Sequence, residues 1–473
     1  MTTRGARTRT SKVGPAKALD QVTTIQRAGA LAITGGLRTL ATDSLNAHAH
    51  LLPAALMVRK WCHQALTRLA TLPKEHPLYK PVNSRRTSKI KRHKGPLHHL
   101  IKWFKPNASN TEKIPTTARD PSKIGKIPLK LSIAENREDS IKEAESAKEE
   151  LQIFSDSSAL EGKVGAAAVL IHKGRHIRTL HLHLGSDTEH TVHEAEMVGL
   201  VLGLHMLSGR KYRSEPAMIG VDNQAAIKAL ASDLRSPGHH LAWEALRIAK
   251  RIEKAKKSRK TKAAITIRWT AGHEGIKGNE LADGEAKEAA KGRTSDTELL
   301  PRHLRKPLLT NPLAVKKAHN EELKKEWRED WRNSERGKAT TRVDESTPSS
   351  KFLKTISNPK LSRTAASTIV QFRLSHTPLN SYLKRIHKVD NARCPACGED
   401  EESIEHFLLR CPSYAYERWD LTQHARKKHK ALSLVTILGD LQFTMPLAAF
   451  IQATGRFTQP GEHNITQNAN STQ

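Results

Sequence analysis

The chain is predicted to be an α/β protein whose centre, residues 150–292, folds as a mixed five-stranded sheet with flanking helices. Three observations predict this. Short apolar, β-rich runs recur between turn residues, and two of them run into an aspartate, Asp156 and Asp222. Segments with apolar residues at helical spacing lie between and after these runs. The composition outside this region is poorer in core formers: the whole chain is 37% hydrophobic and 4% aromatic, low for a chain packed throughout. A segment of ~140 residues buries about two-thirds of its unfolded surface, enough to fold alone.

The elements follow in order. Residues 1–80 read as a helical segment: Ile25, Ala28, Leu31 and Ile33 precede a Gly35-Gly36 stop. Leu51, Ala55, Val58, Cys62, Leu66 and Leu69 then mark a second helix, ended by Pro73 and Pro77. Residues 81–149 read as a basic, charged linker, with a run from Arg85 to Lys94, Trp103 and Phe104 beyond it, and a solvated helix over Glu135–Glu150. Leu151–Ser155 is a strand ending on Asp156. Val164–His172 and His176–Leu184 complete an antiparallel meander around Gly174. Thr191 and Glu194 form a capping box for a helix bearing Met197, Leu200, Val201, Leu204 and Leu207, closed by Ser208-Gly209. Ala217–Val221 is a strand ending on Asp222. Helices over Ala225–Ala231 and His239–Lys256, a fifth strand Ile265–Trp269, and a helix Asn279–Lys291 complete the order β-β-β-α-β-α-α-β-α. Residues 293–390 are basic and helical (Ala314–Trp331 and Thr364–Ile386), 391–420 hold a cysteine cluster, and 458–473 read as a disordered tail.

Formal net charge is +31, from 79 Lys and Arg against 48 Asp and Glu. Such a surplus suits a polyanion, because Lys and Arg neutralise phosphates and release counterions. The long helix continuing through Lys250, Arg251, Lys254, Lys256, Lys257, Arg259 and Lys260 concentrates it. No apolar run reaches 18 residues, so no membrane span is expected, and the basic N-terminus lacks the apolar stretch of a secretory signal. Three of the four cysteines lie within 18 residues, which points to a metal site in a reducing, intracellular compartment, nucleus or cytoplasm, instead of a disulfide framework.

Asp156, Glu196, Asp222 and Asp283 come from separate elements that could meet at one end of the sheet. Hydrolysing a phosphodiester calls for an activated water, a stabilised leaving oxygen and charge neutralisation at phosphorus. Two divalent ions on clustered carboxylates supply all three. A single carboxylate at an element end is ordinarily just solvated; the surrounding sequence argues otherwise here. Phe154-Ser155-Asp156-Ser157-Ser158, Glu194-Ala195-Glu196, Val221-Asp222-Asn223-Gln224 and the block Trp269-Thr270-Ala271-Gly272-His273 to Asn279-Glu280-Leu281-Ala282-Asp283 resemble the motifs of type 1 ribonuclease H, in family order. The resemblance implies a ribonuclease H-like fold and hydrolysis of the RNA strand of RNA–DNA hybrids. It implies that Asp156, Glu196, Asp222 and Asp283 bind two Mg²⁺ ions, with Mn²⁺ as a substitute, and that His273 assists proton transfer or product release. It places Ser158, Asn223, Gln224 and Asn279 against nucleic acid. Glu196 is chosen over Glu194 because the apolar helix follows it. The sequence departs from the family at Ser157, where the pattern has glycine.

Cys394-x-x-Cys397, His406 and Cys411 make a Cys₃His set suited to a tetrahedral structural Zn²⁺ in a small zinc knuckle. With Glu405–Pro412 it resembles the zinc element near the C-terminus of fungal non-LTR (LINE-like) retrotransposon polyproteins. Residues 18–80 resemble the segment downstream of their reverse transcriptase. The resemblance implies a retrotransposon-derived enzyme with an upstream reverse transcriptase as partner. The competing readings are a retroelement remnant that only binds nucleic acid, and an integrase or resolvase on the same fold.

Overall fold

The computed structural model of the chain describes residues 15–83, 95–115, 127–209, 215–232, 236–258, 264–272 and 274–457. His273, the basic run 85–94, the basic residues Arg259 and Lys260, and the tail 458–473 lie outside them. The chain divides into two compact units, one spanning Lys60–Glu321 and the other Met1–Arg59 with Glu322–Gln473. Among the described residues no helix is long and apolar enough to cross a membrane.

The first unit is built on a mixed sheet of six strands: β1 (Lys130–Ser132), β2 (Leu151–Leu160), β3 (Lys163–His172), β4 (Arg175–Ser186), β5 (Ala217–Val221) and β6 (Ile265–Trp269), in spatial order β1-β6-β5-β2-β3-β4. β2, β3 and β4 form the antiparallel meander, while β5, β6 and β1 run parallel to one another and to β2. Two-residue loops with both residues at positive φ, Glu161-Gly162 and Lys173-Gly174, turn the meander. This backbone hand matches the twist of the strands it joins. The helices are α1 (Arg137–Glu145), α2 (Val192–Leu207), α3 (Gln224–Ala231), α4 (His239–Ser258) and α5 (Lys277–Ala290).

Alternation along the strands sorts their side chains between two faces. Ile153, Ile219 and Ile267 join the main core with α2 and α4, while Phe154, Val169 and Met218 form a smaller cluster with Ala282 of α5. Helix α2 is apolar nearly all round and buries 13 of its 16 residues, as a helix enclosed on several sides must. Helix α5 sits close against the sheet: a Cβ on Gly165 would stand 2.1 Å from the Ala290 backbone nitrogen, and one on Gly278 would stand 2.2 Å from the Phe154 ring.

The structure corrects the expected architecture in three places. The sheet has six strands, not five, because β1 arises within the stretch read as linker and pairs Lys130, Leu131 and Ser132 with Thr266, Ile267 and Arg268. Strand β2 does not end on Asp156. Its parallel pairing with β5 stops at Ser155–Val221, but its antiparallel pairing with β3 continues to Leu160–Lys163. The region Thr364–Ile386 is two helices, Arg363–Arg373 and Asn380–Arg385. Ser375 at φ 52° and Pro378 interrupt what apolar spacing alone reads as one.

The second unit is helical. Phe372, Phe407 and Phe443 anchor its core, which includes Cys394 and Cys411. Within it the Arg373 guanidinium is buried against the Asp344 carboxylate and the Leu438 carbonyl, and lies 4.0 Å from the Phe352 ring centroid. His48 packs edge-on against the same ring. Burial first, and the Arg373 charge second, lower its pKa from 6.5 to about 3.

Candidate active site

Asp156 lies at the point on β2 where the parallel neighbour β5 has ended, and Asp222 directly follows β5. Glu196 lies in the first turns of α2, whose start is fixed by its cap. Thr191 Oγ1 accepts from the Glu194 backbone N–H at 3.1 Å, and the Glu194 carboxylate accepts from the Thr191 N–H at 3.4 Å. The capping glutamate also pairs with His190 Nδ1 at 3.1 Å. Glu194 is therefore committed to the cap, and the acid two residues on faces the aspartates.

Asp156, Glu196 and Asp222 place carboxylate oxygens within 4.8 Å of one another. Asp156 is 5% exposed and Glu196 4%. Ser157, the departure from the family pattern, donates its hydroxyl to Glu196 Oε1 at 2.7 Å, and its backbone N–H to Asp156 Oδ1 at 2.7 Å. Glu196 Oε2 is buried without a hydrogen-bond partner among the described residues. Burial, then the neighbouring Asp222 charge, pushes the Asp156 carboxyl up to about 7. The same two causes in the same order hold Glu196 well above the usual carboxylate range. Three oxygen-donor acids side by side, of which Asp156 and Glu196 resist ionising and Glu196 keeps an orphaned buried oxygen, suit hard divalent cations, whose charge would remove the repulsion.

The remaining expected residues are placed differently. Asp283, on α5, stands outside the three-carboxylate group. It is near enough that its charge contributes to raising Asp156, but its Oδ2 accepts from Lys287 Nζ at 2.7 Å. Asn223 caps α3, its Oδ1 accepting from the Ala225 N–H at 2.9 Å. Gln224 accepts from Lys228 Nζ at 3.4 Å on the exposed face of that helix. Asn279 is 3% exposed, with its Oδ1 lacking a partner among the described residues. Ser158 is half-buried on β2, opposite Gly165.

Two residues missed in the sequence hold the segment beside Asp222. Ser140 of α1, wholly buried, donates to the Trp269 carbonyl at 2.9 Å and accepts from the Ala271 N–H at 3.0 Å. Arg137 donates to the Gly272 carbonyl at 2.7 Å and to Glu274 Oε1 at 2.6 and 2.9 Å, so it grips both neighbours of His273. The gripped segment meets the site directly. Trp269 Nε1 donates to the Asp222 carbonyl at 2.9 Å, and a Cβ on Gly272 would stand 3.2 Å from Asp222 Oδ2. The signal for α1 was its Asn136-x-x-Asp139 start, where Asn136 accepts from the Asp139 N–H at 2.8 Å.

The second expected cluster also assembles. The ligand atoms of Cys394, Cys397, His406 and Cys411 lie within 4.8 Å of one another. The Cys394 and Cys411 sulfurs are 3.8 Å apart, and Cys397 Sγ is 3.4 Å from His406 Nε2. A tetrahedral ion with zinc-like bond lengths sets two thiolate sulfurs about 3.8 Å apart and sulfur and imidazole nitrogen about 3.6 Å apart. The other ring nitrogen, Nδ1, faces the Asp400 carboxylate at 3.5 Å.

A mixed sheet of this order, with flanking helices and three carboxylates converging beside its parallel strands, is of the ribonuclease H-like fold class. The sequence match is narrower: residues 148–291 match the RNase H family model, and these residues form a ribonuclease H domain. No curated protein matches the chain. Among solved structures, the chain is similar to the prototype foamy virus protease–reverse transcriptase at 16% identity, covering 31% of this chain and 22% of that one, with TM-score 0.24. It is similar to the N-terminal RNase H domain of a Mycobacterium tuberculosis protein at 16% identity, covering 30% of this chain and 97% of that one, with TM-score 0.24. It is similar to RNase H1 of the halophilic archaeon Halobacterium salinarum at 18% identity, covering 30% and 98%, with TM-score 0.23. The chain thus spans under a quarter of the viral protease–reverse transcriptase and nearly all of the mycobacterial and archaeal RNase H chains.

Proposed function

We propose that this domain is an endonuclease that hydrolyses the RNA strand of RNA–DNA hybrids with two Mg²⁺ ions, Mn²⁺ serving as a substitute. The observation that carries the reading is the meeting of Asp156, Glu196 and Asp222 within 4.8 Å inside the stretch that matches the family model. These three acids would hold the ions, with Asp283 completing the set once its carboxylate leaves Lys287. When bound, the ions would lower the pKa of a water and neutralise charge at phosphorus. The chain's own part is positional. Ser157 fixes one oxygen of Glu196 and leaves the other open. Arg137 and Ser140 hold the 269–274 segment against Asp222. His273, between two gripped neighbours, is assigned proton transfer or product release. Ser158, Asn223, Gln224 and Asn279 are assigned to substrate contact, Asn223 in addition to its cap.

Cys394, Cys397, His406 and Cys411 are proposed to hold a structural Zn²⁺, supported by sulfur and nitrogen spacings that fit a tetrahedral ion. The motifs around this cluster and in residues 18–80 support a retrotransposon origin, with an upstream reverse transcriptase as partner.

The test is cutting of a hybrid labelled on each strand by the full chain, with Mg²⁺ and with EDTA, beside Asp222→Asn. Magnesium-dependent loss of the RNA strand alone, absent in the variant, is the expected result. A folded chain that binds hybrid without cutting it would favour the binding-only remnant. Cutting of duplex DNA instead would favour the integrase-like reading.

A further inference from the structure

The C-terminal unit carries an exposed strip that contains none of the carboxylate-site residues. Helix Arg418–Lys427 is anchored on one side: Leu421 and Ala425 are buried, and the Arg418 guanidinium donates to the carbonyls of Leu408 and Cys411 at 2.8 and 2.9 Å. The other side faces solvent. Tyr416, just before the helix, is 89% exposed and Trp419 is 58% exposed. Residues three and four apart lie on one helical face, so 419, 423, 426 and 427 make a continuous strip, with the Tyr416 ring just before it and Lys428 at the helix C-cap beyond it. The Arg426 guanidinium lies 6.0 Å from the Trp419 ring centroid. Arg426, Lys427 and Lys428 are exposed, and among the described residues none makes a salt bridge. Lys430 is already engaged by Asp440 at 2.6 Å. Of the acids near the strip, Glu417 and Asp420 lie at the end away from the cations, while Asp440, held by Lys430, also feels the Lys428 charge.

What sets this strip apart is two exposed rings next to exposed cations. An apolar protein patch would cover the rings but would leave the surplus positive charge of Arg426, Lys427 and Lys428 unmatched beside it. A single nucleic-acid strand answers both halves: bases stack on the rings while phosphates meet Arg and Lys. We propose that Tyr416, Trp419, Arg426, Lys427 and Lys428 form a contact for single-stranded nucleic acid, distinct from the carboxylate site. Because Arg418 pins the helix to the carbonyls of the cysteine element, the strip is held in place before any strand arrives.

The experiment is fluorescence anisotropy of the full chain with labelled twelve-residue oligo(dT) and oligo(U), neither of which is a hybrid. The Tyr416→Ala/Trp419→Ala variant should raise Kd at least tenfold on one or both strands, the two arms telling DNA from RNA. Tyr416→Phe/Trp419→Phe should stay within twofold of wild type. Lys427→Ala/Lys428→Ala should reduce the slope of log Kd against log salt by about 1.4, from ~0.7 per phosphate contact on a single strand. Melting temperature and hybrid cutting should stay unchanged in all three. Binding of both oligomers within threefold of wild type by the alanine pair, with the salt slope intact in the lysine pair, would overturn the proposal. The strip would then be a protein-facing surface.

Discussion

Asp156 and His48 are both buried, and their titrations act on stability in opposite directions. The carboxyl of Asp156 has a folded-state value near 7 against an ordinary 3.8. Ionising it costs more in the folded chain than in the unfolded one, so metal-free stability falls as pH rises from about 4 to about 7. Differential scanning calorimetry in EDTA should show this loss, at up to about 1.4 kcal/mol per pH unit. Asp156→Asn should reduce the slope to the part that Glu196 contributes while abolishing cutting, and Mg²⁺ should restore the wild-type Tm. A slope unchanged by Asp156→Asn would rule out this residue as its source. His48, with a folded value near 3 against 6.5, behaves the other way. Its contribution is complete above pH 6.5 and is lost as pH falls toward 3, because the unfolded chain takes up a proton that the folded chain refuses. His48→Gln should remove that acid-side loss in calorimetry of the chain without EDTA, where the helical unit keeps its transition.

Elements with apolar runs bounded by turn residues or a cap were legible in the sequence: β3 to β6, α2 and α4 stand where those runs put them, β2 starts as expected but runs past Asp156, and Asp222 follows its strand. Strand β1 was not legible, because three residues carry no alternation, while α1 was legible only as a solvated helix, because its charge-rich sequence shows no apolar face. The contacts that give α1 its role span 135 and 137 residues between Arg137 and the Gly272–Glu274 segment, and no local pattern encodes them. The Asp283–Lys287 pair is an i,i+4 spacing that could have been read. At this scale two outcomes are expected. Ser140→Ala removes hydrogen bonds from the buried Trp269 carbonyl and Ala271 N–H, costing about 2 kcal/mol, and it should lower kcat more than it raises KM. An unchanged kcat would show that α1 is only scaffolding. Gly165→Ala drives a methyl into the backbone of α5 and should cost about 3 kcal/mol, read as a Tm lower by roughly 5–10 °C. A Tm within 2 °C of wild type would show that α5 gives way at little cost.

At the scale of the whole molecule, two compact units with separate cores should melt separately. A zinc chelator, or Cys411→Ser, should abolish the calorimetric transition of the helical unit and leave the sheet unit's transition in place. Loss of both together would show that the two fold as one cooperative body. The match to the family model begins at residue 148, yet β1 precedes it and pairs with β6 along Thr266–Arg268. A chain trimmed to the matched residues would leave that side of Ile265–Trp269 with its peptide groups bare, an adhesive border onto which a second copy could dock strand to strand. Such a fragment is expected to form soluble oligomers in light scattering that a chain starting before Lys130 does not.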